Sequence, residues 1–226
     1  MPRAPKNTRV MLPIAILRPA ASFPPTLGLV LADAPAATDA IDPALLRIGG
    51  APVLDRVITR VRPQCSGLIL ATSGDAARLA LLKRPVVEGA GPLAGILAGL
   101  DWAAARMPDI EWMVSLSGAM PFLPDDLLGR LHAAREAARA ALVVASSAGK
   151  LHPFVSLWPV RHRDDLRRAL IEEGVRDAEA YLWREDALPV AWSAEPFDPF
   201  FAIGGLDDIP AAERIAARLG RTPGIA

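Results

Sequence analysis

The chain has 226 residues, 52% of them hydrophobic and 22% charged, and its 25 basic residues balance 25 acidic ones. This composition excludes a disordered chain and fits a soluble globular protein with no electrostatic footprint for nucleic acid. One cysteine, Cys65, excludes an intrachain disulfide and a Cys-rich zinc site, and no apolar run reaches the ~20 residues of a membrane span.

In chain order, the first segment is "MPRAPKNTRVMLPIAILRPAASF". Basic residues precede a short apolar run that Pro13 interrupts and Arg18 closes, so residues 1–25 read as an added arm or edge strand rather than a signal peptide. The expected compartment is the cytoplasm. "TLGLVLA" (26–32) reads as a buried strand, and "PVLDRVITRV" (52–61) as a helix with Leu54, Val57, Ile58 and Val61 on one face. "GLILAT" (67–72) is a strand, 75–83 a helix, "RPVVE" (84–88) a strand and 92–106 a helix with Leu93, Ile96, Leu97 and Leu100 in phase. "EWMVSLS" (111–117) is a strand, followed by a helix over 124–140 that begins with a proline and two aspartates. Strands over 140–147 and 151–159 flank the turn "AGK". Two charged helices near 162–173 and 176–184, strands over 188–193 and 199–203, and a helix over 209–220 complete the chain.

Strand–helix alternation dominates, so the expected fold is α/β: three layers, α/β/α, with a mainly parallel sheet flanked by helices. One domain over 26–226 is expected, since no repeat or low-complexity linker divides it. Ligands of such sheets bind at the carboxyl ends of the strands, here 32–35, 88–95, 117–121 and 203–206.

Three places could carry chemistry, each with a plainer structural role. In "EGAGPLAGILAGL" (88–100), Gly89 and Gly91 permit close backbone approach and Pro92 opens a helix whose free N–H groups can face a ligand. The plainer role is a tight turn, with Gly95 and Gly99 allowing helix–sheet packing. His152, held extended by Pro153, can bond a ligand or shuttle a proton, or can bond backbone in a hairpin. Arg176 can form a phosphate fork or sit solvated at a helix start. Cys65, after "RVRPQ", reads as an inert, half-buried thiol. The five Trp residues are scattered, which suits packing rather than a stacking platform.

Taken together, "LGLVLA", "LLRIGGAPVLDRVI" (45–58), "GPLAGILAGL", "MPFLPDDLL" (120–128), "HPFVSLW" and "GGLDDI" (204–209) resemble the molybdenum cofactor guanylyltransferases, of the nucleotide-diphospho-sugar transferase type. The resemblance runs from about Thr26 to Leu219. It implies transfer of a guanylyl group from GTP to the molybdopterin phosphate with release of pyrophosphate, aided by Mg²⁺. It also implies a nucleotide loop at Leu31, Ala32, Asp33 and Ala34, and an acceptor end at Gly91, Pro92, Leu93, Gly95, His152, Pro153 and Arg176.

The chain departs from the family pattern where the triphosphate and metal are held. The family loop Leu-Ala-Gly-Gly-x-Ser-x-Arg-Met-Gly, with a lysine three positions on, reads "LADAPAATDAIDP" here. Asp33 and Ala34 replace the glycines, Thr38 the arginine and Pro43 the lysine. Ala119 stands at the family's metal-binding aspartate, and Ala202 and Gly204 stand at its Asn-x-Asn. Two readings of different class follow. One is an enzyme whose metal oxygens come from Asp33, Asp42, Asp207 or Asp208. The other is a non-catalytic relative that binds molybdopterin, its nucleotide or a molybdoenzyme maturation protein. A transferase using another nucleotide is a third reading, for which no replacement motif is present.

Overall fold

The computed structural model describes residues 23–32, 42–73, 76, 79 and 84–220. The expected arm over 1–25 and helix over 75–83 fall largely outside them, as do Asp33, Ala34 and Thr38.

The apolar runs become strands. β1 (Thr26–Leu31) is buried along its whole length, as a central parallel strand covered on both faces must be. β4 (Gly67–Thr72) lies on one side of it and β6 (Trp112–Ser117) on the other, both parallel to it. β5 (Val86–Glu88) pairs parallel with β4. β7 (Val143–Ser147) and β8 (Lys150–Pro159) form a hairpin whose two turn residues, Ala148 (φ 47°) and Gly149 (φ 75°), have the left-handed geometry that suits a twisted two-residue turn. β9 (Leu188–Trp192) pairs parallel with β7. The sheet order is β5-β4-β1-β6-β8-β7-β9, and β8 alone runs against the rest. A small antiparallel pair, β2 (Arg47–Ile48) with β3 (Ala51–Pro52), stands apart.

Helices cover both faces. α1 (Val53–Val61) and α3 (Leu127–Ala138) bury Leu54, Val57, Leu128 and Leu131 against one face. α2 (Pro92–Arg106), α4 (Arg163–Ile171) and α5 (Ala178–Arg184) bury Ile96, Leu100, Leu166 and Leu182 against the other. α2 lies close on the sheet because Gly99 has no side chain; a Cβ there would meet Leu29 Cδ2 at 2.7 Å. α6 (Ile209–Leu219) joins Ile48, Phe122 and Ile203 in a third, smaller cluster. This is the expected three-layer arrangement.

Two elements differ from expectation. Residues 199–203 form no strand. Asp198 Oδ1 accepts from Phe200 N at 2.9 Å and Asp198 O from Phe201 N at 3.1 Å, so the carboxylate and its own carbonyl turn the chain there. The helix after β6 begins at Leu127, because Pro124 to Asp126 make a turn that closes with Leu127 N on Pro124 O at 3.3 Å.

Candidate functional site

β1 and β6 are neighbours from which the chain runs on toward opposite edges of the sheet, to β4 and to β7, which makes the crevice beyond their carboxyl ends the topological switch point. The chain leaves β6 through Gly118, whose N–H donates to Leu31 O at 2.8 Å. A Cβ at Gly118 would lie 2.7 Å from that same oxygen, so the corner needs glycine. Next comes Ala119, partly exposed, with its N–H 3.4 Å from Ser117 Oγ. Its carbonyl accepts from Ile203 N at 2.9 Å. Ile203 is buried, while Ala202 and Gly204 on either side of it are exposed. The backbone bond therefore sets three positions, 119, 202 and 204, side by side at the open end of the sheet, and none carries a polar side chain.

Two of the four aspartates considered as metal ligands, Asp208 and Asp42, accept from backbone N–H groups, and Asp33 lies outside the described residues. Asp208 Oδ2 accepts from Gly204 N at 2.7 Å. Asp42 Oδ1 caps the short 3₁₀ turn Pro43–Leu45 through Ala44 N at 3.0 Å. Pro43 is the first residue of that turn and contributes no cation. Arg47 is spent on the hairpin carbonyl of Gly50. Mg²⁺ is usually held by one or two carboxylates together with waters and substrate phosphates; Ala119, Ala202 and Gly204 offer no side-chain oxygen, and among the described residues no group of three His, Cys, Asp or Glu is placed to hold a metal ion.

The mouth of α2 is better formed. Gly89 is wedged against the first turn of the helix, where a Cβ would sit 2.4 Å from Gly95 N. Gly91, at φ 96°, precedes Pro92 and supplies no side-chain cap, and Gly95 N bonds Gly91 O at 2.9 Å. The N–H groups of Leu93 and Ala94 fall within the first turn, ahead of the regular helix ladder. Gly91, Pro92, Leu93 and Arg176 line one cavity of about 520 Å³ with Leu97, Leu170 and Ile171. Arg176 Nη1 donates to Leu170 O at 2.9 Å and Val175 O at 2.7 Å, closing the end of α4. Gly95 packs beneath, with its Cβ position 3.2 Å from Ala71 Cβ.

His152 belongs to a different group. Its Nε2 lies 2.7 Å from Ser147 Oγ, which in turn lies 2.8 Å and 2.9 Å from the two oxygens of Asp198. The imidazole stacks on Phe200 with ring centres 4.6 Å apart, and Phe200 meets Trp192 edge-on. Burial lowers the basicity of His152, against the opposing pull of Asp198. Phe200 and Trp192 belong to the core beneath α1 and α3, whereas Leu93 belongs to the core beneath α2. The acceptor-end residues thus fall into two groups: Gly91, Pro92, Leu93 and Arg176 in one cavity, His152 outside its lining. Pro153 is half-buried in β8.

Ser147 and Asp198 escaped the sequence reading. Ser147 stands just before a two-residue turn and so close to His152, a relation the "SSAGKLH" spacing contains; Asp198 is 51 residues from Ser147 and carries no local signal. Cys65 is buried and desolvation pushes its thiol up to about 12, as an inert cysteine requires. Trp112, Trp158 and Trp192 are core residues, while Trp183 is 56% exposed.

Residues 38–187 match the family model described as a MobA-like NTP transferase domain. The chain is 46% identical over 209 residues to a molybdenum cofactor guanylyltransferase of Rhodopseudomonas palustris, covering 90% of this chain and all of that protein. A molybdenum cofactor guanylyltransferase of Nitrobacter hamburgensis is 43% identical over 201 residues, covering 86% of this chain and 96% of that one. The structure superposes on the molybdopterin-guanine dinucleotide biosynthesis protein A of Archaeoglobus fulgidus with a TM-score of 0.65 at 21% identity, over 85% of this chain and 99% of that chain.

Proposed function

The chain belongs to the MobA-like NTP transferase family, alongside the molybdenum cofactor guanylyltransferases, and from that premise we propose that it is a relative impaired in Mg²⁺-dependent guanylyl transfer that still binds molybdopterin or its nucleotide. The reaction of the relatives named as guanylyltransferases joins a guanylyl group to molybdopterin. Such a step needs backbone donors and a cation at the triphosphate, oxygen ligands for Mg²⁺, and an acceptor phosphate lined up behind the α-phosphorus. One observation carries the reading: the Ile203–Ala119 backbone bond at 2.9 Å brings Ala119, Ala202 and Gly204 together where the family resemblance puts an aspartate and two asparagines. Methyl groups and a hydrogen cannot ligate a hard cation. Pro43 supplies no charge at the lysine position.

The acceptor end supports retained binding. The α2 mouth keeps its glycines, its positive-φ Gly91 and an adjoining cavity of about 520 Å³. The protein would act as one domain over 26–226 with an extension over 1–25, holding a small ligand or delivering it to a molybdoenzyme maturation protein. Equilibrium calorimetry tests this. Molybdopterin binding with no Mg²⁺-dependent GTP binding supports the reading; tight Mg·GTP binding with no affinity for molybdopterin overturns it.

A further inference from the structure

The Asp198–Ser147–His152 chain has a definite polarity. Ser147 Oγ carries one proton. It lies within hydrogen-bond distance of both Asp198 oxygens, and a carboxylate can accept but not donate. The hydroxyl must therefore donate to Asp198. The reverse orientation would set hydroxyl lone pairs against a carboxylate at 2.8 Å. With its proton committed, Ser147 Oγ can only accept from His152, so the proton of the ring sits on Nε2. Because serine is the middle member, its proton is drawn toward the carboxylate and not toward the imidazole. The order is the wrong one for an activated serine nucleophile.

Asp198 is itself held. Oδ1 also accepts from Phe200 N at 2.9 Å, and Phe200 stacks on the imidazole whose tautomer the carboxylate sets. Ser147 is buried, and β7 and β8 place it and His152 at the end of the sheet where β1, β4 and β6 finish. His152 is half-buried, and among the described residues Nδ1 makes no hydrogen bond. A neutral ring with Nε2–H leaves a lone pair on Nδ1, which accepts hydrogen bonds and repels phosphate oxygens.

We propose that Asp198 and Ser147 are positioning residues that lock His152 with Nδ1 as an acceptor, so that it receives an N–H donor on the heteroaromatic ring of the bound ligand rather than its phosphate. This rests on the reading above that the acceptor end takes molybdopterin, and it fixes which end of that ligand meets His152.

The test uses the full chain with ¹⁵N-labelled histidine, and His152→Gln identifies the signal. At pH 7.5 the Nε2–H tautomer is expected in the unmodified protein. In Asp198→Asn the amide can donate to Ser147, which frees the hydroxyl to donate to Nε2 and moves the ring proton to Nδ1. Titration with 6-hydroxymethylpterin is expected to shift Nδ1, titration with inorganic phosphate is not, and Asp198→Asn should weaken pterin binding about tenfold, the effect of one lost hydrogen bond. Ser147→Ala, which removes the relay without adding an amide, should give a tautomer mixture and an intermediate loss. A ring protonated on Nδ1 in the unmodified protein overturns the proposal. So does a response to phosphate but not pterin, a response to neither, or an unchanged tautomer in both variants. A chain that transfers guanylyl groups yet shows the expected tautomer and pterin response would overturn the earlier reading and leave this one standing.

Discussion

Ile203 donates its backbone N–H to the carbonyl of Ala119 at 2.9 Å, and this bond fastens the segment before α6 to the corner after β6. It places two sequence departures, far apart in the chain, in one site. Restoring oxygen ligands there should restore metal affinity. Ala119→Asp combined with Ala202→Asn and Gly204→Asn is expected to raise Mn²⁺ affinity at least about tenfold, or ~1.4 kcal/mol, read by electron paramagnetic resonance. No change in free Mn²⁺ would mean that these positions do not converge on a cation site.

Gly89→Ala should be far more costly than Gly91→Ala. At Gly89 a Cβ meets the backbone of Ala94 and Gly95 at 2.4–2.8 Å, which cannot yield without moving α2. At Gly91 the space is open and only the positive φ of 96° is strained. The expected losses in urea unfolding are about 2–3 kcal/mol against about 1 kcal/mol. Equal losses would refute the close approach.

The histidines predict how stability varies with pH. His132 is buried, with Nε2 2.7 Å from Thr26 Oγ1 and its ring stacked on Phe23. Thr26 Oγ1 donates to Pro24 O, so it accepts from Nε2, and Nδ1 has no partner. Desolvation, then the charge of Arg135, lowers its pKa from 6.5 to about 4. The unfolded chain therefore binds the proton more readily than the folded one. Stability holds above pH 6.5 and falls as pH drops from 6.5 toward 4, by up to ~3 kcal/mol from this residue. Burial lowers His152 and His162 as well, so they act in the same direction. In His132→Gln the slope of unfolding free energy over this window should flatten. An unchanged slope would assign it to other groups.

Cys65 should resist alkylation at pH 8, since its thiol is buried and raised to about 12. Its reaction with iodoacetamide is expected to follow unfolding, accelerating through the denaturation midpoint. Fast labelling of the native protein would contradict the burial of this strand edge.

The layers of the fold were legible because β1, β4 and β6 are continuous apolar runs and α1 repeats its buried residues at helical spacing. "PFFAI" misled for the same reason. Its aromatic residues resemble a strand, but Asp198 turns the chain through its own side chain, a local choice that hydrophobic patterning does not register. The emptiness of the corner at Ala119 was readable from the family resemblance alone. Its closeness to Ala202 and Gly204 needed the fold, because the connecting bond runs between backbone atoms and leaves no mark on side-chain identity. Arg176 was open between a phosphate fork and a solvated helix start; its bonds to the carbonyls of Leu170 and Val175, beside the cavity it lines, depend on how the chain turns after α4 and leave no mark on the spacing of charged residues.

The proposed function is impaired guanylyl transfer with ligand binding retained. The direct measurement is a single-turnover assay of the full chain with Mg·GTP and molybdopterin, following molybdopterin-guanine dinucleotide and pyrophosphate together. The account predicts neither product above a protein-free control, under conditions where calorimetry shows molybdopterin bound. Stoichiometric formation of both products would contradict it, and would require metal oxygens from outside the corner formed by Ala119 and Ile203.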